Sequence, residues 1–205
     1  MNIIHFSTVF KRLDHFVKLH NSNSSTLSCN LRQPIVATAK EIIKIYTNWC
    51  EINKKLKAYE ARTINIPELL SESVYCMFTN SGRLKSCEYS KVNTSWDCYN
   101  FDTNKRVQVK ATSVAEDLTS FGPRSEWDTL IFCDFYVEGK FDGSFRFYEI
   151  PNEKVYSQQV NRNQTFKEQQ EAGRRPRFSI TKDIIKKNKM TAMGRNFGKK
   201  IIITP

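Results

Sequence analysis

Residues 95–112 read SWDCYNFDTNKRVQVKAT, and the fold turns on how this run is paired. Ser95–Phe101 and Arg106–Thr112 each carry strand-forming residues. Asp102-Thr103-Asn104-Lys105 between them has the composition of a tight turn, so the run is expected to be a β-hairpin. In its second arm, Gln108 and Lys110 stand two apart and share a face, which leaves Val109 to point into the core.

Outward from the hairpin the period changes in both directions. Upstream, apolar spacing predicts helices over Ser7–His20, from Pro34 to about Tyr59, and from Pro67 toward Gly82, with Asn21–Thr26 as a polar linker. Downstream, Leu84–Tyr89 reads as a weak strand, Thr129–Tyr136 (TLIFCDFY) as a central strand, and Ser144–Ile150 (SFRFYEI) as a half-buried one that ends at Pro151. Glu138–Asp142 is expected to turn, Glu153–Gln170 to be helical, Gly173–Phe178 to be a basic loop, and Ser179–Asn188 to begin as a capped helix. The expected whole is one α+β domain: a helical region over 1–66, a mixed β-sheet flanked by helices over 67–150, and a basic extension over 151–205.

A chain of 205 residues with 40% hydrophobic and 26% charged residues can bury a core and is neither fibrous nor disordered. Thirty-two Lys and Arg against 21 Asp and Glu give a net charge of +11, which calls for a polyanionic partner. Residues 151–205 hold 13 basic and four acidic residues, whereas residues 97–150 hold six basic and ten acidic ones. That division suits a nuclease, with one region gripping phosphates and another holding a divalent metal, and equally a DNA-binding protein without catalysis.

Other classes are excluded by what the sequence lacks. The six cysteines (Cys29, Cys50, Cys76, Cys87, Cys98, Cys133) form no CxxC pair, so buried free thiols are expected. All three histidines lie within the first twenty residues, away from the other polar clusters, which disfavours His-dependent nuclease or Ser-His-Asp chemistry. No GxxxxGK[ST] or GxGxxG loop occurs, so no nucleotide cofactor is expected. No apolar run is long enough to cross a membrane, and no export signal is seen at Met1–Phe10; a cytoplasmic location is the expectation.

Pairing around Asp102–Lys105 brings Asp97 beside Gln108, Val109 and Lys110. A carboxylate, an amide oxygen, a backbone carbonyl and an ammonium then surround one small volume, the parts that Mg²⁺-assisted phosphodiester hydrolysis uses. Glu72, on the helix before the sheet, supplies a further acid, and Glu88 is an alternative one strand earlier. For DNA contact, the densest donor cluster is Arg174, Arg175 and Arg177 with Ser179, Thr181 and Lys182. Arginine forks suit guanine O6/N7 edges as well as phosphates. The Ser120–Ser125 loop, with Ser120 and Arg124, is positioned to approach the backbone or to serve as a packed connection.

The order of a helix with Glu72, a strand, Asp97 and Gln108-Val109-Lys110 resembles the PD-(D/E)xK nuclease superfamily. Within it, VQVKAT at 107–112, DLTSFGP at 117–123 and the residues Trp127-Asp128, Asp134-Phe135, Asp142-Gly143 and Tyr148-Glu149-Ile150 resemble small type II restriction endonucleases that cut GCNGC. The similarity runs from about Pro67 to Lys189. The resemblance implies a restriction-endonuclease-like core and a Mg²⁺-dependent homodimer cutting both strands of double-stranded DNA at a palindrome, with 5′-phosphate ends, in a restriction-modification system. It implies Asp97 as the metal-binding Asp, Gln108 in the usual acid position, Val109 as a carbonyl ligand, Lys110 as the catalytic Lys and Glu72 as the helix acid. Trp96, not Pro, precedes Asp97, and Gln108 removes one negative charge from the metal site. A repair or junction endonuclease on the same core, and a non-catalytic DNA-binding regulator, are the alternative readings.

Overall fold

Asn100 and Asn104 make the hairpin turn. The Asn100 side-chain oxygen accepts from the backbone N–H of Asp102 and of Thr103, both at 3.0 Å. Asn104 takes φ 54°, in the left-handed region that Asn tolerates better than most residues. The arms then pair antiparallel through Cys98–Val107, Tyr99–Arg106 and Asn100–Lys105, so the turn is Phe101–Asn104, one residue earlier than the expected Asp102–Lys105.

The computed structural model describes residues 14–20, 26–32, 36–87, 95–140, 142 and 144–193, with the backbone alone over the first two strands, 36–39 and 85–87. Its elements are β1 (Asp14–His20), β2 (Thr26–Arg32), α1 (Val36–Ala58), α2 (Glu68–Phe78), β3 (Ser81–Cys87), β4 (Cys98–Asn100), β5 (Lys105–Thr112), β6 (Thr119–Ser120), β7 (Thr129–Asp134), β8 (Arg146–Ile150), α3 (Asn152–Tyr156), α4 (Phe166–Glu171) and β9 (Arg177–Phe178). A π-helix follows at Thr181–Lys186. One sheet runs β1-β2-β3-β4-β5-β7-β8, antiparallel throughout except for the parallel β5/β7 pair, and β6 and β9 form a separate two-stranded ladder. The last five strands of the large sheet, with their helices, are the restriction-endonuclease-like core.

The sheet separates two apolar cores. On one face Val107, Val109, Ile131, Cys133 and Phe147 pack against Ile42, Tyr46 and Trp49 of α1 and Leu70 and Val74 of α2. On the other, Leu130, Phe132, Tyr148 and Ile150 pack against Phe121, Phe166, Phe178, Ile180 and Ile184. Each fully buried ring or branched side chain contributes about 1.5–3 kcal/mol relative to exposure. Asn53, fully buried on α1, donates to the Ile64 carbonyl (3.3 Å) and accepts from the Ile64 N–H (2.7 Å), pinning the connection that leads into α2. Arg106 and Asp128 set the β5/β7 register: the Asp128 carboxylate accepts from the Arg106 backbone (2.7 Å) and from its guanidinium (2.8 and 3.0 Å).

Several expectations change. Asp14–His20 is a strand, not the end of a helix, and Thr26–Arg32 is its antiparallel partner. A seven-residue apolar run has no decisive period, and pairing settled the choice. Glu153–Gln170 is interrupted: α3 stops at Tyr156 and helix resumes only at Thr165, whose capping box with Glu168 starts α4. Between them Asn and Gln side chains bond the backbone in competition with helix. Ser179 does cap, accepting from Lys182 N–H while Asp183 accepts from Ser179 N–H, but the turn it opens is π-helical. Cys50, Cys76, Cys98 and Cys133 are buried free thiols, as expected. Residues 7–13 of the expected first helix, most of the 21–26 linker, Glu88, and the basic residues Arg195, Lys199 and Lys200 lie outside the described residues.

Candidate active site

Strand β4 ends one residue short of the chemistry, and that early ending creates the site. Asp97 N–H still donates to the Val107 carbonyl, at 2.9 Å. The next inward-facing position of β5, Val109, has no β4 residue left to pair with, and its N–H donates instead to Asp97 Oδ2 at 2.8 Å. A residue's N–H and C=O point to the same side of a strand, so the Val109 carbonyl faces the same gap. Gln108 Nε2 also donates to Asp97 Oδ2. Both bonds fall on one oxygen, and among the described residues Asp97 Oδ1 has no hydrogen-bond partner.

Acidic groups crowd this gap. Burial pushes the Asp97 carboxyl up to about 6, with the Glu68 charge adding to the rise and the Val109 bond and Lys110 opposing it. Glu72, buried on α2, is pushed up to about 7 by burial and then by the Asp97 charge; the Arg83 guanidinium, ion-paired to its Oε2, opposes this. Glu72 therefore holds its proton more tightly because Asp97 and Glu68 are near, and Asp97 because Glu68 is. Among the described residues no three His, Cys, Asp or Glu side chains converge as a metal site, and position 108 beside Asp97 carries an amide in place of an acid.

Beside the gap lies an open cleft of about 360 Å³, with Glu68 and Ser71 of α2 on one wall, Val109 and Lys110 on its floor, and Asp117 and Ser120 on the other wall. Lys110 stands on the face of the second core, and its ammonium lies 5.5 Å from the centre of the Phe121 ring. Phe121 is a fixed platform, stacked on Phe178 at 5.8 Å and edge-on to Phe166 at 5.0 Å. Gly122 lets the next turn close, since a Cβ there would meet Ser125 Oγ at 2.8 Å.

One carboxylate joins the cleft to the basic segment. Asp117 is buried; its Oδ1 accepts from Ser179 Oγ (2.9 Å) and Thr181 N–H (3.0 Å), and its Oδ2 from Thr119 Oγ1 (2.8 Å) and Ile180 N–H (2.9 Å). Ser120 pairs with Arg177 in the β6/β9 ladder, and Phe121 N–H donates to the Pro176 carbonyl. Arg124, Arg174, Arg175, Arg177 and Lys182 are all exposed.

The family model for the Bsp6I restriction endonuclease matches residues 36–187. The chain belongs to that family. It is 34% identical over 152 residues to the type II restriction enzyme Bsp6I of Bacillus sp. (strain RFL6), a match covering 73% of this chain and 82% of that protein. No solved structure matches the chain. Membership of the Bsp6I family makes this a site-specific restriction endonuclease and sets aside the repair-enzyme and passive-regulator readings. In this Bsp6I-family chain, the match begins where α1 begins, so β1 and β2 precede it.

Of the residues expected from the sequence, Asp97, Gln108, Val109 and Lys110 come together, with Glu72 close enough for the Asp97 charge to raise its pKa. Ser120 lines the cleft and Arg177 is laddered to it; Arg124 sits on the following loop. Two residues beside this constellation were not anticipated. Glu68 is one, and its spacing of four from Glu72, which places both acids on one face of α2, was the available signal. Asp117 is the other, and no local pattern marks it.

Proposed function

We propose that the cleft hydrolyses both strands of a GCNGC site, the sequence cut by the Bsp6I enzyme, with Mg²⁺ as cofactor and 5′-phosphate ends. The observation that carries this reading is the convergence of Asp97, Gln108 and Val109 beside Lys110 at the end of β4. The donors fit a hard divalent ion: Asp97 Oδ1, without a hydrogen-bond partner among the described residues, the Gln108 amide oxygen and the Val109 carbonyl are all oxygens, the set that Mg²⁺ prefers. When bound, Mg²⁺ polarises the scissile phosphate and offsets the charge developing on it. The Lys110 ammonium orients a water in line with the phosphorus and compensates negative charge. The water oxygen forms the new P–O bond and gives up a proton to solvent, while the bond to the 3′-oxygen breaks and that oxygen leaves as a hydroxyl, taking a proton from solvent. Glu72, fixed by Arg83 and itself raised by the Asp97 charge, acts as the helix acid beside the site.

Arg174, Arg175, Arg177, Lys182 and Arg124 form the DNA-facing surface in this reading, with Ser120, whose hydroxyl is buried, on the cleft wall behind them. A palindromic target suits a two-fold homodimer acting on double-stranded DNA, one active site per strand. The setting is a restriction-modification system in the cytoplasm; among the described residues no helix is long and apolar enough to cross a membrane.

The test is incubation of the purified protein with a sequenced plasmid, with and without Mg²⁺, followed by sequencing of the ends. Discrete Mg²⁺-dependent fragments ending within GCNGC are expected; a plasmid shifted on the gel yet uncut at any Mg²⁺ concentration would overturn the assignment. A second expectation follows from the charge missing at position 108. Gln108→Glu restores a carboxylate beside Asp97 and should tighten Mg²⁺ binding by roughly tenfold, on the scale of a change in ligand environment. Calorimetric titration checks it, and an unchanged affinity would remove residue 108 from the ligand set.

A further inference from the structure

The loop between α3 and α4 is held from within, the Asn161 side chain taking part at both its oxygen and its nitrogen, while Arg162 beside it is left free of partners among the described residues. Val160 N–H donates to the Gln164 carbonyl (3.0 Å), Asn163 N–H to Asn161 Oδ1 (2.9 Å) and Gln159 Nε2 to the Asn161 carbonyl (2.7 Å); Gln159 and Thr165 bridge at its base. Asn161, Arg162 and Asn163 are exposed at the tip. Together with Gln164 and Arg174 they line an open hollow of about 570 Å³. Gln164 Oε1 accepts from Arg174 Nη1 at 3.1 Å, so one arginine is fixed in place. Arg162 has no partner among the described residues, and the loop contains no acidic residue.

We propose that this loop reads base edges in the major groove, with Arg162 donating to a guanine; the inference rests on the reading of this chain as a DNA endonuclease. Three observations support base reading over simple attraction to phosphate. The side chains beside Arg162 are amides, which both donate and accept, matching base edges, whereas phosphates only accept. The backbone is already ordered, so little conformational freedom is lost when the tip engages. The hollow is also tied to the cleft. Arg174, which shares it, stands three residues before Arg177, the ladder partner of Ser120 on the cleft wall. Three residues of extended chain span at most about 11 Å, roughly the rise of three base pairs. A reader so placed contacts the same short site that is cut.

The experiment compares Arg162→Ala and Arg162→Lys on the full chain carrying Lys110→Ala, so that binding is read without cutting. Affinity is measured by fluorescence anisotropy for a GCNGC duplex and for every single-base substitution of it, over a series of salt concentrations. Arg162→Ala should weaken binding to GCNGC by roughly 10- to 100-fold, the scale of one lost bidentate pair. It should also erase discrimination at one G·C position per half-site while leaving the others intact. Arg162→Lys should fail to restore that discrimination, because an ammonium lacks the planar fork. Uniform weakening on all duplexes with a salt slope reduced by about one, full rescue by Lys, or no change in either variant would each overturn the proposal. Failure of the endonuclease reading shows separately, as absence of plasmid cleavage by the unmodified protein.

Discussion

Lys110→Ala is expected to slow plasmid cleavage by roughly 10²- to 10⁴-fold, the range for loss of a positioned group that acts in the transition state. The loss should fall on the chemical step. The Lys110 ammonium forms no ion pair among the described residues and rests over the Phe121 ring. Its removal therefore strands no buried partner, and the contact given up is worth about 0.5–1 kcal/mol at a partly exposed site. Single-turnover cleavage measured beside metal-free DNA binding separates the two properties. Cleavage should collapse while affinity stays within a few-fold, and a variant that still cuts at the original rate would remove Lys110 from the catalytic machinery.

Asp97→Asn should move activity and stability in opposite directions. Loss of the carboxylate removes several kcal/mol of charge stabilisation at the site, about 10³-fold in rate at 1.4 kcal/mol per tenfold. Stability follows the proton. The folded pKa of Asp97 is about 6 against an ordinary 3.8, and that of Glu72 about 7 against 4.5, so the folded protein favours the protonated carboxyls. Stability is then highest below the unfolded values and declines as pH rises through the folded ones, with the cost complete above about pH 7. The neutral Asn removes the Asp97 share, on the order of 2 kcal/mol. In metal-free buffer the unmodified protein should melt lower at pH 8 than at pH 5, and Asp97→Asn should flatten the difference. Mg²⁺ at pH 8 should raise the melting temperature of the unmodified protein only. A pH profile identical in the two proteins would show that Asp97 is not the strained group.

What could be read in advance was whatever is specified by near neighbours. The hairpin is local: Asn100 and Asn104 make its turn, and strand alternation then dictates that Gln108 and Lys110 share a face. Helices α1 and α2 announce themselves through Ile42, Tyr46, Trp49, Leu70 and Val74 at helical spacing. Asp14–His20 does not, because it is a strand only through pairing with Thr26–Arg32, and that ribbon joins the sheet through Ser81–Cys87, some fifty residues on. Within the site, Glu72 was legible as an acid on the right helix, but its ion pair with Arg83 depends on how α2 lies over β3. Glu68 and Glu72 lie on one helical face, and only the position of Asp97 shows that it interacts with both, raised by Glu68 and raising Glu72. Asp117 has its partners 62 to 64 residues away, beyond the reach of any local pattern.

The Asp117 clasp also bears on safety within a cell. A nuclease whose basic segment could peel away from an intact cutting cleft would be free to nick DNA without reading it. Here the four hydrogen bonds that seat residues 179–181 and Thr119 converge on a buried carboxylate that also lines the cleft. Releasing the segment leaves that charge unsatisfied and destabilises the wall carrying Ser120. In the function proposed above, loss of grip and loss of the cleft are thereby coupled, and a partly opened molecule is expected to be inert instead of promiscuous.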